Sequence, residues 1–273
     1  MSKTWFITGA SSGLGREMAE RLLTRGDRIV ATIRRNGVLA DLEHKHGDAL
    51  VVATLDVTDT NGIRTIVDEA FRRMGRIDVI VSNAGYGLFG AAEELKDAQI
   101  DHQIATNLTG SIQFIRTCLP YLRRQGGGRI VQVSSEGGQV AYPSFSLYHA
   151  TKWGIEGFVE AVAQEVAPFG IDFMIAEPGP TATNFGANVV SPAPMEIYEE
   201  TPAGAIRRAI SGGSFAIRGQ AGRTAEAMIA AADLKEAPFR LPLGRTAFEH
   251  VTGDLSKRLV AVEALRELAL SAD

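Results

Sequence analysis

Apolar residues along this chain fall into two alternating kinds of run. Short, β-rich runs occupy Thr4–Thr8, Arg28–Ile33, Leu50–Leu55, Ile77–Ser82, Arg129–Ser134 and Ile171–Ala176, with a short last one at Arg240–Leu243. Between them apolar positions recur at helical spacing. Leu14, Met18, Leu22 and Leu23 form one such stripe, with Gly26 as its C-cap. Helices are also predicted over Ile63–Met74, Gln99–Arg124, Tyr148–Val166 and Leu255–Leu270. Strands alternating with helices predict an α/β fold, a doubly wound parallel sheet of about seven strands with right-handed crossovers and helices on both faces. The alternation breaks at Asn184–Gly222, which is rich in Gly, Pro, Ser and Ala. A long irregular segment of this kind reads as a substrate-binding lid (184–222) inside one domain spanning residues 1–273.

Composition narrows the classes. With 45% hydrophobic and 22% charged residues among 273, the chain is globular rather than disordered or fibrous. A net charge of −4 lacks the basic surplus that a nucleic-acid partner requires. The single Cys118 excludes an internal disulfide framework and a cysteine-cluster metal site. It falls in the apolar-periodic stretch Ile112–Leu122 and reads as a core thiol. No basic-then-apolar leader opens the chain and no run is long enough to span a bilayer, so a cytoplasmic location is expected.

The chemistry-bearing clusters share one position: each follows a predicted strand. Thr8-Gly9-Ala10-Ser11-Ser12-Gly13-Leu14-Gly15 follows the first, Asn83-Ala84-Gly85 the fourth, Ser134-Ser135-Glu136-Gly137-Gly138 the fifth, and Glu177-Pro178-Gly179-Pro180 the sixth. Open α/β sheets bind ligands outside the carboxyl ends of their strands, so these clusters share a rim in a Rossmann-type sheet. The first is a glycine-rich turn opening a helix, where backbone can approach a pyrophosphate and free N–H groups face it. Alone it fits a tight strand-to-helix turn equally well. At the end of the second strand, where a carboxylate would meet a ribose 2′-hydroxyl, stand Arg34 and Arg35. Guanidinium favours a 2′-phosphate, hence NADP(H) over NAD(H), with NAD(H) the alternative and a solvated arginine pair the bland reading. Asp56-Val57 ends the third strand, either against an adenine edge or with Asp56 as the N-cap of the following helix.

Tyr148 and Lys152, spaced i, i+4, share a helix face. An ammonium beside a phenol favours the phenolate, which suits general acid/base work. Tyr-x-x-x-Lys is common, and its weight comes from Ser135 at a strand end and from the glycine turn.

Together these motifs resemble the short-chain dehydrogenase/reductase family over roughly residues 3–185. Thr8-Gly9-x-x-x-Gly13-x-Gly15 is similar to its cofactor turn. Ser82-Asn83-Ala84-Gly85 is similar to its Asn-Asn-Ala-Gly element, with serine for the first asparagine. Asn107 falls at the family's helix asparagine, Ser135 at its serine, and Tyr148 and Lys152 at its Tyr-x-x-x-Lys. The resemblance implies hydride exchange between a nicotinamide cofactor and a carbonyl or secondary alcohol. Tyr148 is then the acid/base and Ser135 orients the substrate oxygen. Lys152 binds ribose and lowers the tyrosine pKa, and Asn107 supports a proton-relay water. Gly9, Ser11, Ser12, Gly13, Leu14, Gly15, Arg34, Asp56, Val57, Asn83, Ala84, Gly85, Pro178, Gly179, Thr181 and Thr183 line the cofactor, and no metal takes part. It also implies a homodimer or homotetramer built through Gln99–Arg124 and Tyr148–Val166.

Phe89, Val140, Tyr142, Phe185 and Phe215 are candidate pocket walls and suggest a fairly apolar small-molecule alcohol or ketone. Arg207, Arg208, Arg218 and Arg223 read as solvated helix faces. Two rivals remain. One is a catalytically silent dinucleotide-binding regulator. The other is a hydrolase using Ser11, since Gly9-Ala10-Ser11-Ser12-Gly13 also fits a nucleophile elbow, with His250 as the only late histidine. His149 should diverge from the face of Tyr148 and reads as a packing or surface histidine.

Overall fold

The computed structural model describes residues 2–183, 185–186 and 189–273. Its strands are β1 (Thr4–Ile7), β2 (Arg28–Ile33), β3 (Leu50–Thr54), β4 (Val79–Ser82), β5 (Gly128–Val133), β6 (Ile171–Pro178), β7 (Thr181–Ala182), β8 (Gly219–Gln220) and β9 (Arg240–Leu243). Seven of them form a parallel sheet in the order β3-β2-β1-β4-β5-β6-β9, and β7 pairs with β8 alone. The strands match the expected segments to within two residues at each end.

The helices are α1 (Gly13–Arg25), α2 (Ala40–His46), α3 (Thr60–Met74), α4 (Asp97–Ile104), α5 (Ser111–Arg124), α6 (Ser146–Val166), α7 (Pro202–Ser211), α8 (Ala221–Asp233), α9 (Arg245–Ala264) and α10 (Arg266–Leu270). Side chains alternate across β1 because the strand period is two. Trp5 and Ile7 pack with Met18 and Leu22 of α1 and with Ala225 and Met228 of α8. Phe6 faces the other way, onto Phe114 of α5 in an edge-on contact at 5.1 Å, with Ile63 of α3 and Val159 of α6 nearby in the same core. A sheet covered on both faces explains why its strands read as continuous apolar runs.

Four features depart from the expectation. The helix expected over Gln99–Arg124 is interrupted at Ala105–Gly110 by a π-helical turn between α4 and α5, and Asn107 lies in it. The N-cap of α3 is Asp59, which accepts from the N–H groups of Asn61 and Gly62, whereas Asp56 accepts from Thr58. α2 and α8 were not foreseen, and the last helix begins ten residues earlier, at Arg245. Within 184–222 the chain forms α7 and β8, with β7 just before it; Asn184, Ala187 and Asn188 of that stretch lie outside the described residues.

β1 has β2 on one side and β4 on the other, so the chain reverses direction across the sheet there and leaves a crevice at their carboxyl ends. At Gly9 φ is +67°, and a Cβ there would sit 2.8 Å from Cα of Ala84. We expect Gly9→Ala to destabilise the fold by about 2–4 kcal/mol through left-handed strain and overpacking, roughly 5–15 °C in Tm. Thermal unfolding followed by circular dichroism checks this, and an unchanged midpoint contradicts it.

Candidate active site

The glycine turn is stitched to the segment after β4. The Thr8 hydroxyl accepts from the N–H groups of Asn83 and Ala84 at 3.0 and 3.1 Å. The Asn83 amide donates to the carbonyls of Thr8 and Gly9 at 2.9 and 3.1 Å. A Cβ on Gly15 would meet that amide and Gly9 O at 2.6 Å, so the first turn of α1 packs directly on this junction. Ser12 stands at the N-cap without a side-chain capping bond, leaving first-turn N–H groups free of that partner. Ser11, Ser12, Gly13, Arg16, Ala182, Thr183 and Ala221 line an open cavity of about 440 Å³ beside it. Thr183 thus faces Gly13 across the mouth, and its hydroxyl accepts from Phe185 N–H. Thr181 instead bonds Gly179 O within its own turn.

Ser135 lies two residues beyond the end of β5, and Tyr148 and Lys152 project from α6. Lys152 is only 6% exposed; its Nζ donates to Val133 O at 2.9 Å and lies 5.6 Å from the centroid of the Tyr148 ring. Burial pulls the Lys152 amine down to about 8, against the pull of Glu156. Burial pushes the Tyr148 phenol up to about 12; the Ser135 hydroxyl opposes this, while Glu136 and Glu156 add to it. The expected lowering of the phenol by its lysine neighbour is therefore absent in this structure, because desolvation acts on both groups and favours the neutral form of each. Ser135 also receives the N–H of Gly137 at 3.1 Å and lies 3.4 Å from Pro178 O.

Asn107 is buried. Its amide spans Tyr86, accepting from the N–H at 3.0 Å and donating to the carbonyl at 2.8 Å, and its own carbonyl accepts from Ser111. Gly85 packs against the same amide. A π turn at this position re-aims one helical residue toward the rim, a common device at functional sites.

Sequence reasoning missed the polar layer behind α6. Glu156 and Glu177 are 2% and 0% exposed. Glu156 accepts from Ser134 at 2.5 Å and pairs with Arg240, which also reaches Glu177 at 2.6 Å and Glu160 at 2.7 Å. Burial raises both Glu156 and Glu177, while Arg240, which burial alone would lower, is held above its ordinary range by the three carboxylates. The one available signal was spacing: Tyr148, Lys152 and Glu156 fall at i, i+4 and i+8.

On the other flank the segment after β7 is fastened to the loop after β4. Phe89 N–H donates to Val190 O, and Val190 N–H donates to Gly87 O, both at 2.9 Å. Arg207 of α7 forms two bonds, at 2.6 and 2.8 Å, to the carboxylate of buried Glu94. Arg207 is thus an internal clamp, not the solvated residue expected. Phe185 stands 5.8 Å from Tyr148, and Phe145, not foreseen, packs between Phe89 and Tyr148 at 4.9 and 6.1 Å. Phe215 is exposed. Val140 and Tyr142 line a separate cavity of about 270 Å³ against α9.

The decoys resolve by their contacts. His149 is buried, held between Gly137 O and Tyr142 N–H at 2.8 and 2.9 Å, with burial lowering its pKa; it braces the loop beyond Ser135. His250 contacts Tyr142 at 2.9 Å and Glu136 at 3.4 Å, while Ser11 lines the glycine-turn cavity. Cys118 is a buried core thiol, and burial raises its pKa. Among the described residues no helix is long and apolar enough to cross a membrane.

The model of the short chain dehydrogenase family matches residues 3–193. The oxidoreductase BOA17 of Botryotinia fuckeliana is 37% identical over 273 residues, 99% of each chain. A short-chain dehydrogenase of Streptomyces avermitilis, known by crystal structure, shares 35% identity and a TM-score of 0.92 over 100% of both chains. An alcohol dehydrogenase of the archaeon Thermococcus sibiricus, solved in complex with 5-hydroxy-NADP, shares 25% identity and a TM-score of 0.72 over 88% of this chain and 95% of that one. In sequence and in fold alike, this chain belongs to the short-chain dehydrogenase family.

Proposed function

We propose that this chain is a nicotinamide-dependent oxidoreductase acting on an apolar carbonyl or secondary alcohol, with NADP(H) preferred over NAD(H). The observation that carries the reading is convergence: Ser135 and the phenol of Tyr148 adjoin one another, with Lys152 beneath the phenol ring, on the rim that the glycine turn opens.

The residues present fit a dinucleotide. Gly9 and Gly15 let the turn, the first turn of α1 and the segment after β4 close on one another, α1 offers first-turn N–H groups, and Ser11, Ser12, Gly13 and Thr183 line the opening beside them, with Leu14 following in α1. On the same reading Val57, Asn83, Ala84, Gly85, Pro178, Gly179 and Thr181 would line the rest of the dinucleotide. The bound cofactor supplies or takes up the hydride. Arg34 is exposed at the end of β2, near enough to Asp56 and Tyr86 for its charge to act on both. The neighbouring acids are engaged, Asp41 by Arg16 and Asp56 by Thr58, so a guanidinium, not a carboxylate, meets the adenosine ribose.

Tyr148 gives its proton to the substrate oxygen in reduction and takes it in oxidation. Ser135 donates to the same oxygen and holds it in line, a stabilisation aimed at developing charge. Lys152 holds the nicotinamide ribose. Asn107, its amide committed to Tyr86, supports the relay to solvent through its backbone carbonyl. Phe89, Phe145 and Phe185 give the substrate an apolar wall.

The deciding assay is NADPH depletion over ketones, aldehydes and quinones, repeated with NADH. Tyr148→Phe is expected to cut turnover by about 10²–10⁴-fold with dinucleotide affinity retained. Dinucleotide binding without turnover of any carbonyl by the wild type would favour a silent regulator. Arg34→Asp is expected to shift the NADPH/NADH ratio of kcat/KM by about 10–100-fold toward NADH, and an unchanged ratio would refute the preference. With the phenol at about 12, the acid form is present throughout neutral pH, so reduction does not rise with pH. Oxidation needs the base form and should climb from neutral to alkaline pH, by at most about tenfold per pH step. An oxidation rate that peaks in acid would contradict the assignment of Tyr148.

A further inference from the structure

We propose that the carboxyl-terminal arm of this chain, the second half of α9 with α10, pairs antiparallel with the same arm of a second copy. The inference is independent of the catalytic reading.

The arm leaves the body at a definite point. Ala247 and Val251 of α9 are buried. Arg258 is the last tether: its guanidinium stacks over Trp153 at 4.9 Å and donates to Gln139 O at 2.5 Å. From Leu259 to Asp273 every residue is exposed, on all sides of the helix. Leu259, Val262 and Leu268 stand 62%, 70% and 70% exposed, and Val260, Leu265 and Leu270 are also bare. A helix this short gains little from backbone hydrogen bonds alone and depends on packing of an apolar face. Exposed apolar surface of this continuity marks an interface.

The spacing identifies the kind of partner. In the second half of α9, Leu255, Leu259 and Val262 recur at intervals of four and three, continuing the spacing set by Phe248 and Thr252 before them. That is the seam of a helix pairing with another helix. It lies beside, not on, the row Ala247, Val251 and Arg258 that faces the body.

Charge selects the occupant and its direction. Lys257 precedes the bare stretch, whereas Glu263, Glu267 and Asp273 lie within it, with Arg266 the sole cation there. A parallel pair would set the acidic ends together. An antiparallel pair sets Lys257 of each copy against the acidic end of the other. A helix lying on a lipid surface instead carries Lys and Arg along its polar face, and this arm carries an acidic excess. The arm is distinct from the surfaces on Gln99–Arg124 and Tyr148–Val166 through which the family resemblance implied association.

Light scattering after size-exclusion chromatography tests this on the full chain. The wild type is expected to carry twice the mass of the Leu259→Glu, Val262→Glu double variant, whose near-ultraviolet circular dichroism is unchanged. Val262→Cys adds an exposed thiol to a chain whose native cysteine is buried. It is expected to give a covalent dimer on mild oxidation. A monomeric wild type, a double variant of undiminished mass, or Val262→Cys that stays uncrosslinked would each overturn the proposal. Monomeric wild type sedimenting with phosphatidylcholine vesicles would reassign the arm to a lipid surface.

Discussion

The amine of Lys152 lies out of water, and much of the site follows from that fact. A buried amine is driven toward neutrality unless acceptors and negative charge surround it. Here the carbonyl of Val133 accepts a hydrogen bond from it and Glu156 lies one helical turn away. Glu156 cannot stand alone either, and it is satisfied by Ser134 and Arg240. Arg240 in turn answers Glu160 and Glu177, and Glu177 accepts from Gln139. Apart from exposed Glu160 each member is buried or half-buried, so removing one leaves its partners uncompensated. The layer ties β5, β6 and β9 to α6. β9, a strand that carries none of the candidate site residues, thereby fixes the helix that carries Tyr148.

The sheet was legible because a parallel strand is apolar on both sides, and such runs stand out between polar turns. Tyr148, Lys152 and Ser135 were legible because strand ends and helical spacing are local properties. The Arg240 layer was not, since Arg240 and Glu156 are 84 residues apart and meet only through the crossover between β6 and β9. Arg207 and Glu94, 113 residues apart, escaped for the same reason. The π turn at Asn107 is hidden because it shifts the helical phase by only a fraction of a turn and leaves the apolar stripe readable on both sides. α8 carried a usable signal in Ala225, Met228, Ile229 and Ala232, but an alanine-rich helix gives little contrast between its faces. The N-cap of α3 could not be chosen between Asp56 and Asp59 without knowing where the helix begins, and Asx turns and caps draw on the same residue type.

The lysine–tyrosine pair shows how far a pairwise electrostatic argument reaches. Spacing alone suggested that an ammonium would make the phenol more acidic. In the folded chain the phenol is raised and the amine lowered, because both lose water together and because Glu136 and Glu156 add negative charge near the phenol. Neutral tyrosine beside a partly neutral lysine is the arrangement such surroundings favour. The charge-separated arrangement, phenolate with ammonium, is opposed by burial on both sides. Hydrogen-bond donors beside the phenol would lower its cost, and in the proposed reaction so would a substrate oxygen placed to take the phenol proton. On the proposed reading, proton movement at Tyr148 is coupled to substrate binding, because the desolvation that holds the proton on the phenol also strengthens every polar contact made beside it.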